Sequence, residues 1–538
     1  MAVIMKTVTG FYNEDGTLIT ESERTANVPG IEEIEKEGFR AAFHQLEGTV
    51  LETTNSTRNA AVSGLMEELS KKKTESECHP GTIIEKKYTV QGELGVLGTK
   101  GHKLINGKQT IYDSTEAFFE KTGPREAFKS NLFKELSLYI ATKTSIRNGA
   151  ALLNRMRRSD KGIIPMTFAN FIEREGEVIQ RCIEEKTMAA IEEKGFSVEA
   201  DGTVIWKASG ERVKQCDIKP NQEHINEETV HEAAKRLKLN EGSYNPSDYE
   251  KSSVNISSDD VGVKRQTESR PSEEGKTQPK RVENTVIHVE MANASIDPKE
   301  SSSSSYILNS SSVSGAFKLL LGFLCMNRLF DKTLVFFVDG ARNLNTAIAA
   351  MFSFANIKII LDWYHLSKKM EETLSRICNN RVYRNEMLQK IMPLLWRGDV
   401  DGAISMLKSI DMRMVKDSGS LNYIAGYLER VRKTIPNYML RAQLGLRNSS
   451  NRGEKSNDLI VSNRQKHNGM SWSDAGSVTL ASVSAALHNG ELDNWVEHRT
   501  LSLKMIERLT PKRPRRNRKR TEVAYSNVKT NAVAVVAA

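Results

Sequence analysis

TLVFFVDGA, residues Thr333 to Ala341, is the stretch from which the fold is read. Thr333 to Val338 is apolar almost throughout, and a run of that length and composition belongs in the middle of a sheet covered on both faces. Asp339 ends the run and Gly340 follows at once. The carboxylate is therefore expected at the C-terminal edge of a sheet, where the backbone opens and α/β proteins place their sites. Working outward, a helix is predicted at Gly315 to Leu329, another at Leu344 to Phe352, and a strand at Ile357 to Leu361 that ends in Asp362, with His365 three residues on. Upstream lie a strand-like segment Val254 to Gln266 carrying Asp259 and Asp260, a strand Thr285 to Ala292 and a short strand Tyr306 to Leu308. The serine run 301–305 reads as a loop by composition. This order predicts an α/β unit: a mixed sheet with flanking helices. Beyond Asp362 the pattern is helical, at Met387 to Trp396, Val400 to Lys408, Leu421 to Arg432 and Lys455 to Arg464.

A chain of 538 residues exceeds one ordinary domain, and its 38% hydrophobic and 27% charged residues are those of a globular protein, not a disordered one. The formal net charge of +9 points toward polyanionic partners. Part of that excess lies in the tail Pro511 to Arg520, PKRPRRNRKR, in which Arg515 and Arg516 belong either to a phosphate-binding arm or to a solvated end. The five cysteines are scattered without a C-x-x-C pair, which argues against a disulfide framework or a local zinc site and favours a reducing interior. No apolar run reaches the ~18 residues that a membrane span needs, and the N-terminus has no export segment. A cytoplasmic location without membrane partners is expected.

Seven segments follow from composition and periodicity. Residues 1–123 form an α+β region with a helix at Ile31 to Leu46 and strands within Thr82 to Tyr112; residues 124–214 are helical. In the latter, Thr144 to Met156 and Thr167 to Ile183 flank a short turn, either a helix-turn-helix that binds DNA or a packed bundle. Residues 215–251 read as a linker with one helix, Glu227 to Leu239. Residues 252–370 read as the α/β unit, 371–446 as helical, 447–504 as a further segment that begins helical, and 505–538 as a basic tail without order. GHKLINGK at Gly101 to Lys108 is not a phosphate loop, since its spacing is wrong and Gln109 replaces the hydroxyl that would hold magnesium.

A single aspartate at a strand end is most often a helix N-cap. Several in one unit, with a glutamate on a later helix, can instead converge on a divalent cation that prefers hard oxygen ligands. That glutamate is Glu454, in Asn451-Arg452-Gly453-Glu454-Lys455-Ser456-Asn457, and the chain runs on through Arg464-Gln465-Lys466-His467-Asn468-Gly469-Met470-Ser471-Trp472-Ser473. The succession V-D-G-A, D-W-Y-H, G-E-x-x-N and R-x-K-x-x-G-M-x-W-S resembles bacterial insertion-sequence transposases of the DDE class with a Mutator-like layout. The resemblance covers about Val254 to Arg499.

It implies an RNase H-like core, its two parts 252–370 and 447–504 separated by an all-helical insertion at 371–446, and a reaction that cuts and rejoins DNA. Asp259, Asp339 and Glu454 would be the catalytic carboxylates and the ligands of two Mg²⁺ (or Mn²⁺) ions, with Asp260 a competitor for the first position and Asp362 and His365 in support. DNA would be the partner, the protein would work as at least a dimer, and its place would be the nucleoid. A nuclease that does not rejoin, and a derivative that only binds DNA, use the same framework and stay open. Arg452, Arg464, Lys466 and His467 either face phosphates or form a solvated basic surface. Trp472 and Met470 either pack or stack on an unpaired base, and His365 is either functional or a hydrogen-bonding structural residue.

Overall fold

The computed structural model describes residues 3–77, 79–93, 95–118, 127–157, 162–214, 253–266, 279–293, 302–340, 342–443, 446–466 and 470–509. The chain is mixed α/β and divides into two units, Met1–Ile179 with Glu491–Thr500 and Gln180–Gly490 with Leu501–Ala538. The division falls inside a helix and not at the composition changes near residues 123 and 215.

The first unit opens with an antiparallel hairpin, β1 (Val3–Tyr12) and β2 (Leu18–Val28). Sequence reading gave no strands here, because threonines and charged residues interrupt the apolar alternation and most of the hairpin's side chains are exposed. The helix expected at Ile31 to Leu46 is two helices, α1 (Ile31–Glu37) and the much longer α2 (Phe39–Glu75). Gly38 breaks them at φ 85°, a conformation open to glycine at little steric cost. A second sheet of order β5-β4-β3-β6 comprises β3 (Thr82–Gly92), β4 (Gly95–Asn106), β5 (Gln109–Asp113) and β6 (Phe128–Lys129). The helices are α3 (Ser114–Phe118), α4 (Asn131–Lys143), α5 (Ile146–Arg157) and α6 (Pro165–Glu193), whose last turns lie in the second unit.

In the second unit a small hairpin, β7 (Phe196–Val198) and β8 (Val204–Trp206), precedes the large sheet. That sheet has the order β13-β12-β9-β10-β11-β14. Its first three strands, β9 (Ser253–Lys264), β10 (Arg281–Asn293) and β11 (Ser302–Ser310), form an antiparallel meander. Helix α7 (Val313–Met326) leads to β12 (Thr333–Val338), which lies parallel to β9, and α8 (Arg342–Phe352) leads to β13 (Ile357–Leu361), parallel to β12. All six residues of β12 are buried, as its apolar run requires. On one face Phe336 meets Phe352 of α8, with ring centroids 5.3 Å apart. On the other, Val335 and Phe337 join a core with Leu366, Met370, Ile404, Ile424 and Tyr427.

These last residues come from the helices that follow β13: α9 (Trp363–Ile377), α10 (Arg381–Trp396), α11 (Val400–Lys408), α12 (Ser418–Val431) and α13 (Tyr438–Gln443). The chain then returns to the sheet in α14 (Asn451–Asn457), which runs on through a π turn Asp458–Ser462, and in α15 (Asp474–His488). Helix α16 (Leu492–His498) belongs to the first unit, where Trp495 and Arg499 both donate to the buried carboxylate of Glu175 at 3.1 and 2.6 Å. Strand β14 (Ile506–Leu509) ends the described chain.

Two expectations need correction. The serine run is not a loop: Ser302–Ser305 is strand, paired with β10 on one side and β14 on the other, so backbone pairing overrides the poor strand propensity of serine. The boundary at 504 is also displaced, since β14 completes the sheet. The predicted linker helix Glu227 to Leu239 and the tail residues Arg515 and Arg516 lie outside the described residues. Among the described residues, no helix is long and apolar enough to cross a membrane.

Gly322 of α7 faces Thr187 of α6 so closely that a Cβ there would run into the threonine's backbone carbonyl. Gly322→Ala should therefore destabilise the second unit by about 1–3 kcal/mol despite alanine's better helix propensity, measured as a lower urea midpoint at unchanged m.

Candidate acidic site

The register of β12 against β9 pairs Phe337 with Ser257, so the residues two further on correspond: Asp339, just past the end of β12, stands level with Asp259, midway along β9. Side chains alternate along a strand, which puts Asp259 on the face of Ser257, Val261 and Val263. Helix α14 covers that face. Gly453 lies over Ser257, where a Cβ would approach the serine Cβ to 2.8 Å, and Asn457 donates to the Asp259 carboxylate at 2.7 Å. Below α14, Val261, Val263 and Val286 share a core with Ile460 and Val461. Asp260 points to the opposite face, where Thr285 of β10 donates to it at 2.6 Å.

Asp362 is buried at the start of α9 and its carboxylate is fully used. One oxygen accepts from the His365 backbone N–H at 3.0 Å, the N-cap bond expected of a strand-end aspartate. The other accepts from both the backbone N–H and the hydroxyl of Ser450, the residue before α14, the hydroxyl at 2.9 Å. His365 Nδ1 is 3.3 Å from the first oxygen and its Nε2 is 4.0 Å from Glu454. The imidazole thus stands between Asp362 and Glu454.

Charge explains the titration of these groups. Burial alone would raise Asp362, but its hydrogen bonds from His365 and Ser450 hold it below the ordinary carboxylate value. Its hydrogen bond and negative charge push His365 above 6.5, with Glu454 and Asp339 adding to the effect. Burial raises Glu454, His365 opposes the rise, and the charges of Asp362 and Asp259 add to it. Burial likewise raises Asp260, the Thr285 hydrogen bond opposes it, and Asp259 and Asp339 push it further up. Asp259, Asp260, Asp339, Asp362, His365 and Glu454 therefore occupy one electrostatic neighbourhood.

The candidate DNA-binding residues separate into two groups. Arg452 and Lys466 are exposed, the former with its Nε 3.9 Å from the buried carboxylate of Glu290. Arg464 is only 4% exposed. Its guanidinium lies over the Trp472 ring at 5.2 Å and reaches Met470 Sδ at 3.3 Å, and burial lowers it to about 10. Trp472 donates from its indole to the Gln465 carbonyl at 3.1 Å, while its backbone bridges to Lys264 and Gln266 at the end of β9. The R-x-K-x-x-G-M-x-W-S element thus ties α14 and the start of α15 to the strand that carries Asp259. The expectation that Arg464 and Trp472 face DNA is corrected: their place is in packing. His467 lies outside the described residues.

Four contributors escaped sequence reading. Ser450 holds Asp362 across 88 positions and has no local signature. Asn457, three residues after Glu454 on the same helix, was visible as the last position of G-E-x-x-N. Glu290 is 2% exposed and takes Arg447 at 2.8 Å, tying the chain before α14 to β10. Its signal was a charge at a core-facing position of an alternating strand. Tyr427 of α12 covers the turn after β12, its hydroxyl 2.8 Å from where a Cβ on Gly340 would stand.

Among the described residues, no three His, Cys, Asp or Glu side chains are gathered closely enough to hold one metal ion. The donors are nonetheless of the kind a hard divalent cation takes: neighbouring carboxylates, of which Asp260 and Glu454 are raised by burial and further by the charges around them. Compared with known proteins, the chain matches no protein-family model, no curated protein and no solved structure.

Replacing Asp362 by asparagine should destabilise the protein by about 3 kcal/mol at neutral pH, since buried donors lose their charged acceptor. NMR titration should show His365 falling back toward 6.5 in that variant. The sign follows from the shifts. His365, raised when folded, contributes stability below 6.5 that is lost as pH rises through its folded value, whereas Asp362, lowered when folded, contributes above the ordinary carboxylate range and is lost in acid.

Proposed function

We propose that this protein is a DDE-type transposase, cleaving DNA at the ends of a mobile element and joining them to target DNA with the help of divalent metal. The observation that carries the reading is the register that sets Asp339, just past the end of β12, level with Asp259 on the adjacent parallel strand β9, with α14 laid over the face of Asp259 so that Glu454 stands among the same charges. Strand order supports it as well. An antiparallel meander whose first strand is flanked on its other side by two parallel strands is the arrangement of an RNase H-like core, and the helical stretch between β13 and α14 is where such transposases carry an insertion.

Asp259, Asp339 and Glu454 are the residues that would hold two Mg²⁺ or Mn²⁺ ions. Such ions, when bound, activate a water or 3′ hydroxyl and stabilise the leaving oxygen of a phosphodiester. The protein's own groups do the rest. Asn457 orients the Asp259 carboxylate by its hydrogen bond, and the Gly453–Ser257 contact brings α14 down onto β9. Asp362 holds His365 by backbone and ring, and raises its pKa, which favours the protonated cation beside Glu454. That cation offsets part of the carboxylate repulsion and attracts a DNA phosphate. Arg452 and Lys466, both exposed, supply further charge for the backbone of DNA. The protein would act as at least a dimer, since two ends must be cut and joined together, and would reside at the nucleoid.

The test uses the purified full chain with Mg²⁺ or Mn²⁺ and DNA carrying the ends of the element. Cleavage and joining are expected, and Asp339→Asn or Glu454→Gln should lower both on the order of a thousandfold, equivalent to ~4 kcal/mol of transition-state stabilisation. Asp259→Asn should do the same, while Asp260→Asn, on the other face of the strand, should keep most activity. Cleavage without joining would make the protein a nuclease; metal-dependent cleavage that survives all three carboxamide substitutions would sink the site assignment.

A further inference from the structure

Close to Asp339 and His365 lies a surface that the reaction does not itself require. Tyr364, in the first turn of α9, is 55% exposed, and Tyr423 of α12 is 53% exposed. Rings this open to water present a face on which a ligand can stack. Both stand beside cations. Lys368 Nζ lies 6.0 Å from the Tyr364 ring centroid; Lys369 Nζ lies 5.2 Å from that of Tyr423 and 4.7 Å from that of Tyr427; and the Arg430 guanidinium lies 5.2 Å from Tyr427 on its other side. At its near end the surface reaches the acidic site, for the Tyr364 ring packs edge-on against His365 at 5.6 Å and Tyr427 covers the Asp339–Gly340 turn. Glu371 and Glu372, both exposed, follow about a turn further along α9 and close off that direction for a polyanion.

We propose that Tyr364, Lys368, Lys369, Tyr423 and Arg430 form a track for an unpaired DNA strand leading to Asp339, an inference that rests on the function proposed above. Duplex DNA offers phosphates but hides the faces of its bases, so open lysines alone would suffice for it. An exposed ring beside a cation, repeated along one surface, matches a strand whose bases are free to stack and whose phosphates follow alongside. The strand is therefore opened at the end to be cut, with one base on Tyr364 and another on Tyr423. Lys368, Lys369 and Arg430 take the phosphates. The helical insertion then contributes directly to substrate recognition, since Tyr423 and Arg430 both belong to it.

The experiment compares binding of two fluorescent oligonucleotide duplexes to the full chain, one blunt and one ending in a six-nucleotide single-stranded tail, by anisotropy. The wild type should prefer the tailed duplex by about tenfold or more. Tyr364→Ala with Tyr423→Ala should abolish the preference while leaving blunt-duplex affinity unchanged, and Tyr→Phe at both positions should restore it, since phenylalanine keeps the stacking face. Lys369→Ala should reduce the slope of log affinity against log salt by about one for the tailed duplex. Equal wild-type affinity for the two duplexes, or a preference that survives both alanines, overturns the track. This failure is distinct from that of the proposed function: binding preference is read without metal or cleavage, whereas loss of the transposase reading shows as absence of metal-dependent cutting by the wild type.

Discussion

One buried carboxylate holds together the parts of the acidic site that lie far apart in sequence. Asp362 ends β13, caps α9 and accepts two hydrogen bonds from Ser450, so three segments meet on a single side chain. A charge removed from water is costly unless its hydrogen-bonding capacity is filled, and here the cost is offset by short local and long-range donors together. The consequence is directional. His365 is turned toward Glu454, and the chain that enters α14 is held at the height of the strand ends. This anchor sets the start of α14, and the contacts of Gly453 and Asn457 with β9 complete the placement of its glutamate.

A second constraint acts through size. Gly453 allows α14 to approach β9 until the next shell of contacts, Asn457 to Asp259 and Ile460 and Val461 to Val261 and Val263, can form. Glu290 with Arg447 secures the other end of the same approach. The site is thus assembled by packing on rigid elements, with Asp339 alone placed in a turn. Tyr427 gives that turn its cover, and so links a helical layer to the chemistry of the sheet.

Much of this was legible in the chain before any coordinates. The continuous apolar run of β12 required a central strand, and Asp339 and Asp362 followed from strand ends that any α/β sheet exposes. The faces of Asp259 and Asp260 were not legible, because alternation fixes two faces without saying which one meets α14; the register with β12 and β10 puts Asp259 on that face and Asp260 on the other. Arg464 and Trp472 misled for a related reason. A guanidinium written in sequence carries no mark of burial, and that of Arg464 lies over the Trp472 ring and reaches Met470 Sδ. The serines of β11 misled by composition, since a strand can be held by its neighbours' backbone when its own side chains contribute little.

The outer edge of β11 is covered in two ways. Strand β14 pairs with Ser302–Ser305, and a little further along β11 the side chain of Asn489 imitates a neighbouring strand, accepting from the Ile307 N–H and donating to the Ile307 carbonyl, each at 2.9 Å. An open rim of backbone donors and acceptors would invite another polypeptide to add itself by strand extension. For the transposase proposed above, which would gather copies of itself at two places on DNA, covering the edge of β11 in this way removes one non-specific route to self-association.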